Sequence, residues 1–201
     1  MRITKKYTVK LTEALKYKIL CWSQQFEEVA WLDSNEESNL QSKSTYKAIL
    51  AVDAFTAIKT DYHQAFDQLE EYQSKTKDWL FGYLTYDLKN GVERLNSNNF
   101  DDLHFPDLYF FQPKKVFLFM ENEVEIQYLH FVDDELATDW EEIINYKETN
   151  KASENTSIVK IKSRTSKDSY FNKLHKILEH IQRGDIYEVN FCQEFYSENT
   201  E

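Results

Sequence analysis

The chain has 201 residues and a formal net charge of −11, from 24 Lys plus Arg against 35 Asp plus Glu. That acidic balance opposes nucleic-acid binding, because neutralising phosphates needs clustered Lys and Arg. Gly82, Gly91 and Gly184 are the only glycines, so no G-x-G pair, and with it no dinucleotide fingerprint or P-loop, can be written. Two cysteines, Cys21 and Cys192, make neither a disulfide scaffold nor a four-cysteine zinc site. No apolar run approaches the ~20 residues that span a bilayer. The opening Met-Arg-Ile-Thr-Lys-Lys leads into Tyr-Thr-Val-Lys, not an apolar signal core. These features read as a soluble, cytoplasmic chain with no nucleic-acid or membrane partner. The length suits one generous domain, or one domain and the start of another.

In chain order, the spacing of Leu11, Leu15, Ile19, Trp22 and Phe26 predicts a helix over 11–26. Residues 28–33, with Val29, Ala30, Trp31 and Leu32, read as a short buried strand, and 34–44 as a polar loop. Tyr46–Val52 reads as a second strand, continued by Phe55–Ile58. Tyr62, Phe66, Leu69 and Tyr72 mark a second helix. Trp79–Leu88 reads as a strand in which Gly82 signals a bulge or a close backbone approach. After a polar stretch at 89–104 come three apolar runs, 105–111, 115–120 and 123–131. Glu121-Asn122 joins the last two into a predicted hairpin. Leu136, Trp140, Ile143 and Ile144 predict a third helix.

Residues 147–157 carry no large apolar side chain and read as a linker between a domain at 1–146 and a second unit at 158–201. In that unit, 158–161 reads as a short strand. Tyr170, Leu174, Ile177, Leu178 and Ile181 predict a helix over 167–183, with Ser166 as N-cap and Gly184 just past the end. Tyr187, Val189, Phe191 and Phe195 alternate as a final strand. The class is α+β, with no internal repeat. The helix and strand have few partners behind the linker. They either pack on the preceding domain or begin a longer protein. Their apolar face also predicts self-association through 167–195.

No catalytic residue or metal ligand is assigned from residue types. His63, His104, His130, His175 and His180 lack metal spacing and read as surface residues. Asp33, Asp87 and Glu93 are too scattered in sequence to define an acid–base set, and Asp87 reads as a turn residue. Cys21 and Cys192 read as inert packing residues. The acidic runs Asp133–Glu135 and Glu141–Glu142 read as solvated helix faces.

Two stretches carry a resemblance. One is Gly82-Tyr83-Leu84-Thr85-Tyr86-Asp87-Leu88, with Glu93 and Phe105-Pro106-Asp107-Leu108-Tyr109-Phe110. The other runs from Tyr170 through Gly184-Asp185-Ile186-Tyr187-Glu188-Val189-Asn190-Phe191-Cys192-Gln193-Glu194-Phe195. They resemble component I of the chorismate-utilising enzymes, the aminodeoxychorismate (para-aminobenzoate) and anthranilate synthases. The resemblance implies the N-terminal domain of that fold, with mixed, largely antiparallel sheets and packed helices. The first pieces of the chorismate-binding catalytic domain then follow at 158–201. Val189-Asn190 resembles the aminodeoxychorismate branch; Glu188 and Glu194 stand where Gln and Arg are usual.

The family's catalytic lysine lies in a P-I-K-G-T motif, with magnesium-binding carboxylates further on. Here Pro106 and Pro113 are followed by Asp107 and Lys114. The resemblance therefore implies an inactive N-terminal fragment with no cofactor of its own. For a complete enzyme it implies magnesium and a glutamine amidotransferase subunit as partner. It also implies a tryptophan pocket, marked by Leu32-Asp33-Ser34 and Ser44-Thr45-Tyr46. The candidate residues are Ser34, Lys43, Ser44, Thr45 and Tyr46, of which Lys43 and Thr45 depart from the expected types. By residue chemistry alone the segment is a polar loop edge joining two strands.

Overall fold

The computed structural model describes residues 1–35, 45–96, 100–147 and 159–198. It divides into two compact units, Met1–Glu148 and Thr149–Glu201. The first is built on a 6-stranded sheet in the order β1-β6-β5-β3-β2, with β4 beside β5. Its strands are β1 (Arg2–Thr8), β2 (Val29–Asp33), β3 (Ala48–Thr60), β4 (Phe81–Leu84), β5 (Leu108–Phe119) and β6 (Glu123–Leu129). Every pairing is antiparallel. The mixed α and β class and its antiparallel sheets agree with the sequence.

Helices α1 (Glu13–Ser23) and α4 (Leu136–Asn145) cover one face of the sheet. Thr12 caps α1 by accepting the Leu15 N–H at 3.2 Å, which satisfies one of the first-turn donors. Leu15, Ile19 and Trp22 of α1 and Leu136, Trp140 and Ile143 of α4 pack on alternate residues of three strands: Leu50 and Val52, Phe117 and Phe119, Ile126 and Tyr128. This period of two against a period of 3.6 is why both helices were legible. Tyr7 stacks on Trp140 at 5.2 Å, and Trp22 Nε1 donates to Glu142 at 3.3 Å. The opposite face carries a second cluster of Ala51, Phe81, Phe111, Val116 and Leu118. Two further helices, α2 (Ala65–Thr76) and the short α3 (Lys89–Val92), flank β4 in sequence.

Several elements differ from the sequence reading. The chain opens in a strand, β1, that its charges concealed. The second element, β2, is an exposed edge strand and not a buried one: Leu32 is 55% exposed. The runs at 46–52 and 55–58 are one strand, β3, interrupted by a bulge. Ala54 pairs with Pro113 and Thr56 with Gln112, so Phe55 is the extra residue. Pro113 itself joins the two predicted runs at 105–111 and 115–120 into the single strand β5. A proline is tolerated there because the bulge interrupts the ladder. The strand predicted over 79–88 shortens to β4 and then turns through a 3-10 segment, Tyr86–Leu88. The predicted hairpin forms, closed by the Met120 N–H to the Glu123 carbonyl at 2.8 Å.

The sheet has a gap on one edge of β5, and Arg2 fills it. Strand β3 runs along one edge of β5, so β4 and β6 share the other, at 108–111 and 115–119. Arg2 Nε donates to Asp78 at 2.8 Å, Nη1 to the carbonyls of Lys114 and Gln127, and Nη2 to the carbonyl of Pro113 at 2.6 Å. Gln112 also donates to Asp78, at 2.8 Å. Burial pushes the Asp78 carboxyl up, but Arg2, Gln112 and the Trp79 N–H outweigh it and hold the group below the usual carboxylate range. A depressed folded value contributes stability that is present above the unfolded value and lost as pH falls through the folded one. Asp78→Asn should therefore lower the thermal midpoint at neutral pH, and its deficit should shrink on going to about pH 3. A deficit independent of pH would refute this account.

In the second unit, α5 spans Lys167–Arg183, with Ser166 as N-cap and Gly184 at φ 79° as the left-handed C-cap. A two-stranded pair, β7 (Lys162–Ser163) and β8 (Phe195–Tyr196), accompanies it. The short strand thus lies after 158–161. The alternating segment from Tyr187 is not a strand: only Phe195–Tyr196 pairs, and Tyr187 is 96% exposed. Alternation needs a neighbouring strand to satisfy the backbone, and only two residues find one among those described. Cys192 consequently lies outside any strand and is exposed, not packed. The 147–157 linker lies, apart from Lys147, outside the described residues.

Candidate functional site

Ser34 sits just past the end of β2, where its N–H donates to the Lys47 carbonyl at 3.0 Å. It lines a cleft with Lys10, Leu11, Lys16, Asp33, Lys47 and Glu121. Three elements meet there: the start of α1, the end of β2 and the β5–β6 turn. Lys16 Nζ lies 2.8 Å from Asp33 and 3.2 Å from Glu13, and Lys47 Nζ lies 3.0 Å from Glu121. Lys16 and the Asn35 N–H hold the Asp33 carboxyl below its ordinary value, against a smaller opposing effect of burial. Asp33 in turn raises Lys16, against the opposing effect of burial. Both groups stay charged at neutral pH, so the cleft presents ammonium and carboxylate side by side, beside a hydroxyl.

On the helix side, the same Lys16–Asp33 pair borders a second groove lined by Glu13, Tyr17, Leu20, Trp31 and Asn35. Together the two can hold a small zwitterion with an apolar body: charged ends at Asp33 and Lys16, ring surface at Trp31 and Tyr17.

The sequence-predicted residues divide. Ser34 lines the cleft. Tyr46 packs against the cluster of Ala51, Phe81 and Phe111 on the opposite sheet face, and Thr45 is exposed. Lys43 and Ser44 lie outside the described residues. Lys10, Lys16, Lys47 and Glu121 were not found from sequence. Their signal is tertiary, since no local spacing ties residues 10, 16, 47 and 121 together.

A third cluster is buried and self-contained. Lys115 of β5, 3% exposed, reaches Asp139 at 2.5 Å and Glu135 at 2.6 Å. The rings of Phe26 and Tyr128 lie 5.2 Å from its Nζ. Burial pushes the ammonium down, but the two carboxylates more than reverse this. Tyr128 donates to Asp139 at 2.7 Å, and burial, with Asp139, pushes its phenol far up. Glu135 and Asp139 therefore anchor α4 to the sheet. The acidic run Asp133–Glu135 is not simply a solvated face.

Among the described residues, no three His, Cys, Asp or Glu side chains converge as metal ligands. No helix among them is long and apolar enough to cross a membrane. All five histidines are exposed, and His63, His130 and His180 pair with Asp61, Asp133 and Asp185.

In the second unit, the resemblance string folds onto β7. Arg164 clasps Glu194 through two bonds of 3.0 and 2.9 Å, and Gln193 donates to Ser163 at 2.6 Å. Glu194, where the related enzymes usually carry Arg, is thus held by an arginine of its own chain.

With this geometry in hand, comparison with known proteins identifies the class. The sequence profile described as chorismate binding enzyme matches residues 17–201. The chain belongs to that family. It is also similar to the anthranilate synthase component I-like protein of Synechocystis sp. (strain ATCC 27184 / PCC 6803 / Kazusa), 26% identical over 117 residues. That match covers 58% of this chain and 24% of the relative, so the chain matches about a quarter of the relative's length.

Proposed function

We propose that these residues form the amino-terminal region of an aminodeoxychorismate synthase component I. That enzyme aminates chorismate to 4-amino-4-deoxychorismate, the precursor of para-aminobenzoate and folate. The observation that carries the branch is Val189-Asn190, set within Gly184-Asp185-Ile186-Tyr187 and the following Phe191 to Phe195. Anthranilate synthases usually carry an apolar residue where Asn190 stands, and Asn190 is exposed and free of a packing role. The name of the Synechocystis relative favours a second reading, the anthranilate branch of tryptophan synthesis. In either case a glutamine amidotransferase supplies ammonia. Magnesium in such an enzyme holds a chorismate carboxylate as a Lewis acid. No described residue here is assigned to it.

The Asp33–Ser34 cleft is the proposed seat for tryptophan, through Asp33 and Lys16 with Trp31 and Tyr17 as ring surface. Lys43, Ser44, Thr45 and Tyr46 enter that reading from the resemblance alone. Isothermal titration with tryptophan tests it: Asp33→Asn should abolish the binding heat, and absence of binding to the unaltered chain would sink the assignment.

Two measurements test the branch. The 201-residue chain should form no product from chorismate, ammonium and magnesium, because its sequence holds no P-I-K-G-T lysine. Chromatography above the no-protein rate would contradict that. The complete reading frame encoding these residues should restore growth without para-aminobenzoate to a strain lacking aminodeoxychorismate synthase component I. Rescue of a tryptophan requirement alone would assign the anthranilate branch instead.

A further inference from the structure

The two edges of the six-stranded sheet are built differently. Edge strand β1, Arg-Ile-Thr-Lys-Lys-Tyr-Thr, carries Lys5 and Lys6 in its middle, the kind of charge that blunts an edge. Edge strand β2, Val-Ala-Trp-Leu-Asp, has no charge before its last residue. Val29 is 40% and Leu32 55% exposed.

The hydrogen bonds fix which backbone groups of β2 face outward. The Ser34 N–H goes to Lys47, and the Glu28 carbonyl accepts from Asp53. In an antiparallel pair the bonding side alternates by residue, so even positions point to β3. The N–H and C=O groups of Val29, Trp31 and Asp33 point away from it. Among the described residues, β2 pairs with β3 alone. Beside this edge lies the groove lined by Tyr17, Leu20 and Trp31, on the helix side of the sheet.

We propose that β2 is a self-pairing edge: a second copy of this chain adds its own β2 antiparallel, across a two-fold axis through Trp31. The edge is self-complementary in three respects. Trp31 opposes Trp31, and Val29 opposes Asp33, so all three outward residues of each copy exchange backbone bonds. Trp31 packs on the helix-side core, so the second copy's Trp31 projects to that side and enters the groove under Tyr17 and Leu20. The charges also fit. Exposed Glu27 lies at the start of β2, while Lys10, Lys16 and Lys47 gather at its end. The antiparallel arrangement sets each acidic start against a basic end. A two-fold contact is isologous, so the one patch serves both copies. The groove supplies the side-chain burial that strand pairing alone lacks. This surface is separate from the 167–195 segment, whose apolar face also predicts self-association.

The test is sedimentation equilibrium of the full chain, with hydrogen exchange. The expected mass is twice 24.1 kDa. Val29→Pro removes only an outward donor, and Val29→Lys copies the guard of β1. Both should sediment as monomers with an unchanged thermal midpoint. The Val29, Trp31 and Asp33 amides should gain protection with protein concentration, while Ala30 and Leu32 stay protected throughout. A monomeric unaltered chain overturns the proposal. So does a dimer that survives both Val29 variants, or one that Leu178→Glu on α5 dissociates, which would place association in the tail.

Discussion

Replacing Lys115 with alanine should destabilise the first unit by about 3–5 kcal/mol, the usual cost of removing one partner of a buried ion pair. The reason is what remains. Asp139 is 13% exposed and has already spent its bond from Tyr128. Without Lys115 it faces the rings of Trp22, Phe26 and Tyr128 as an unpaired carboxylate. Helix α4 would lose its polar anchor while keeping Leu136, Trp140 and Ile143. The charge, more than the packing, carries the effect. Lys115→Met should therefore fail almost as badly, but Lys115→Met with Asp139→Asn and Glu135→Gln should recover most of the loss. The raised ammonium fixes the pH dependence. Its contribution is complete below the unfolded lysine value, about 10.4, and is lost only as pH rises through the higher folded value. Urea unfolding followed by tryptophan fluorescence reads all of this, because Trp22 touches the cluster. A Lys115→Met protein as stable as the parent would mean that the pair does not hold α4.

That lysine also marks where sequence reading stops. Lys115 sits in a strand beside Val116, Phe117 and Leu118, and its identity alone points outward. Its partners lie 20 and 24 positions on, on a helix whose own pattern reads only as an apolar stripe with acidic flanks. The stripe was legible because Leu136, Trp140 and Ile143 obey helical spacing. The partnership was not, because it exists only once α4 lies on β5. Arg2 is the same case: its four acceptors come from β5, β6 and the approach to β4. The caps of α5 were legible at both ends, since Ser166 and Gly184 act within one turn. The tail strand was misread for the converse reason. Tyr187 to Phe195 alternate as a strand should, but alternation describes one face, and a strand also requires a neighbour. At the cleft, Leu32-Asp33-Ser34 was visible as a turn after a strand. The lysines around it arrive from the start of α1, the entry to β3 and the residues before Leu11.

Gly82→Ala should be the most damaging single methyl in the chain, and Gly184→Ala is its control. Within β4, a methyl built on Gly82 would lie 1.9 Å from the Tyr109 carbonyl oxygen, 2.6 Å from the Phe110 Cα and 2.8 Å from the Tyr109 carbonyl carbon. All three are backbone atoms of β5, directly across the pair Gly82–Phe110. No side-chain rotation relieves them, so β4 must move off β5. That movement would expose Phe81, draw Asp78 away from Arg2, and open the core behind Phe111. Overpacking a strand contact that cannot relax costs about 3 kcal/mol or more. Gly184 presents the opposite problem. Its methyl meets nothing within 4 Å, but its φ of +79° is left-handed. Alanine there carries only the backbone penalty, about 1 kcal/mol. The two variants thus separate space from conformation, one methyl each. Thermal unfolding should show a large loss for Gly82→Ala and a small one for Gly184→Ala. Hydrogen exchange should place the first loss in the amides of 81–84 and 108–111. Equal and small losses would mean that β4 does not press on β5, and that Gly82 is an ordinary strand residue.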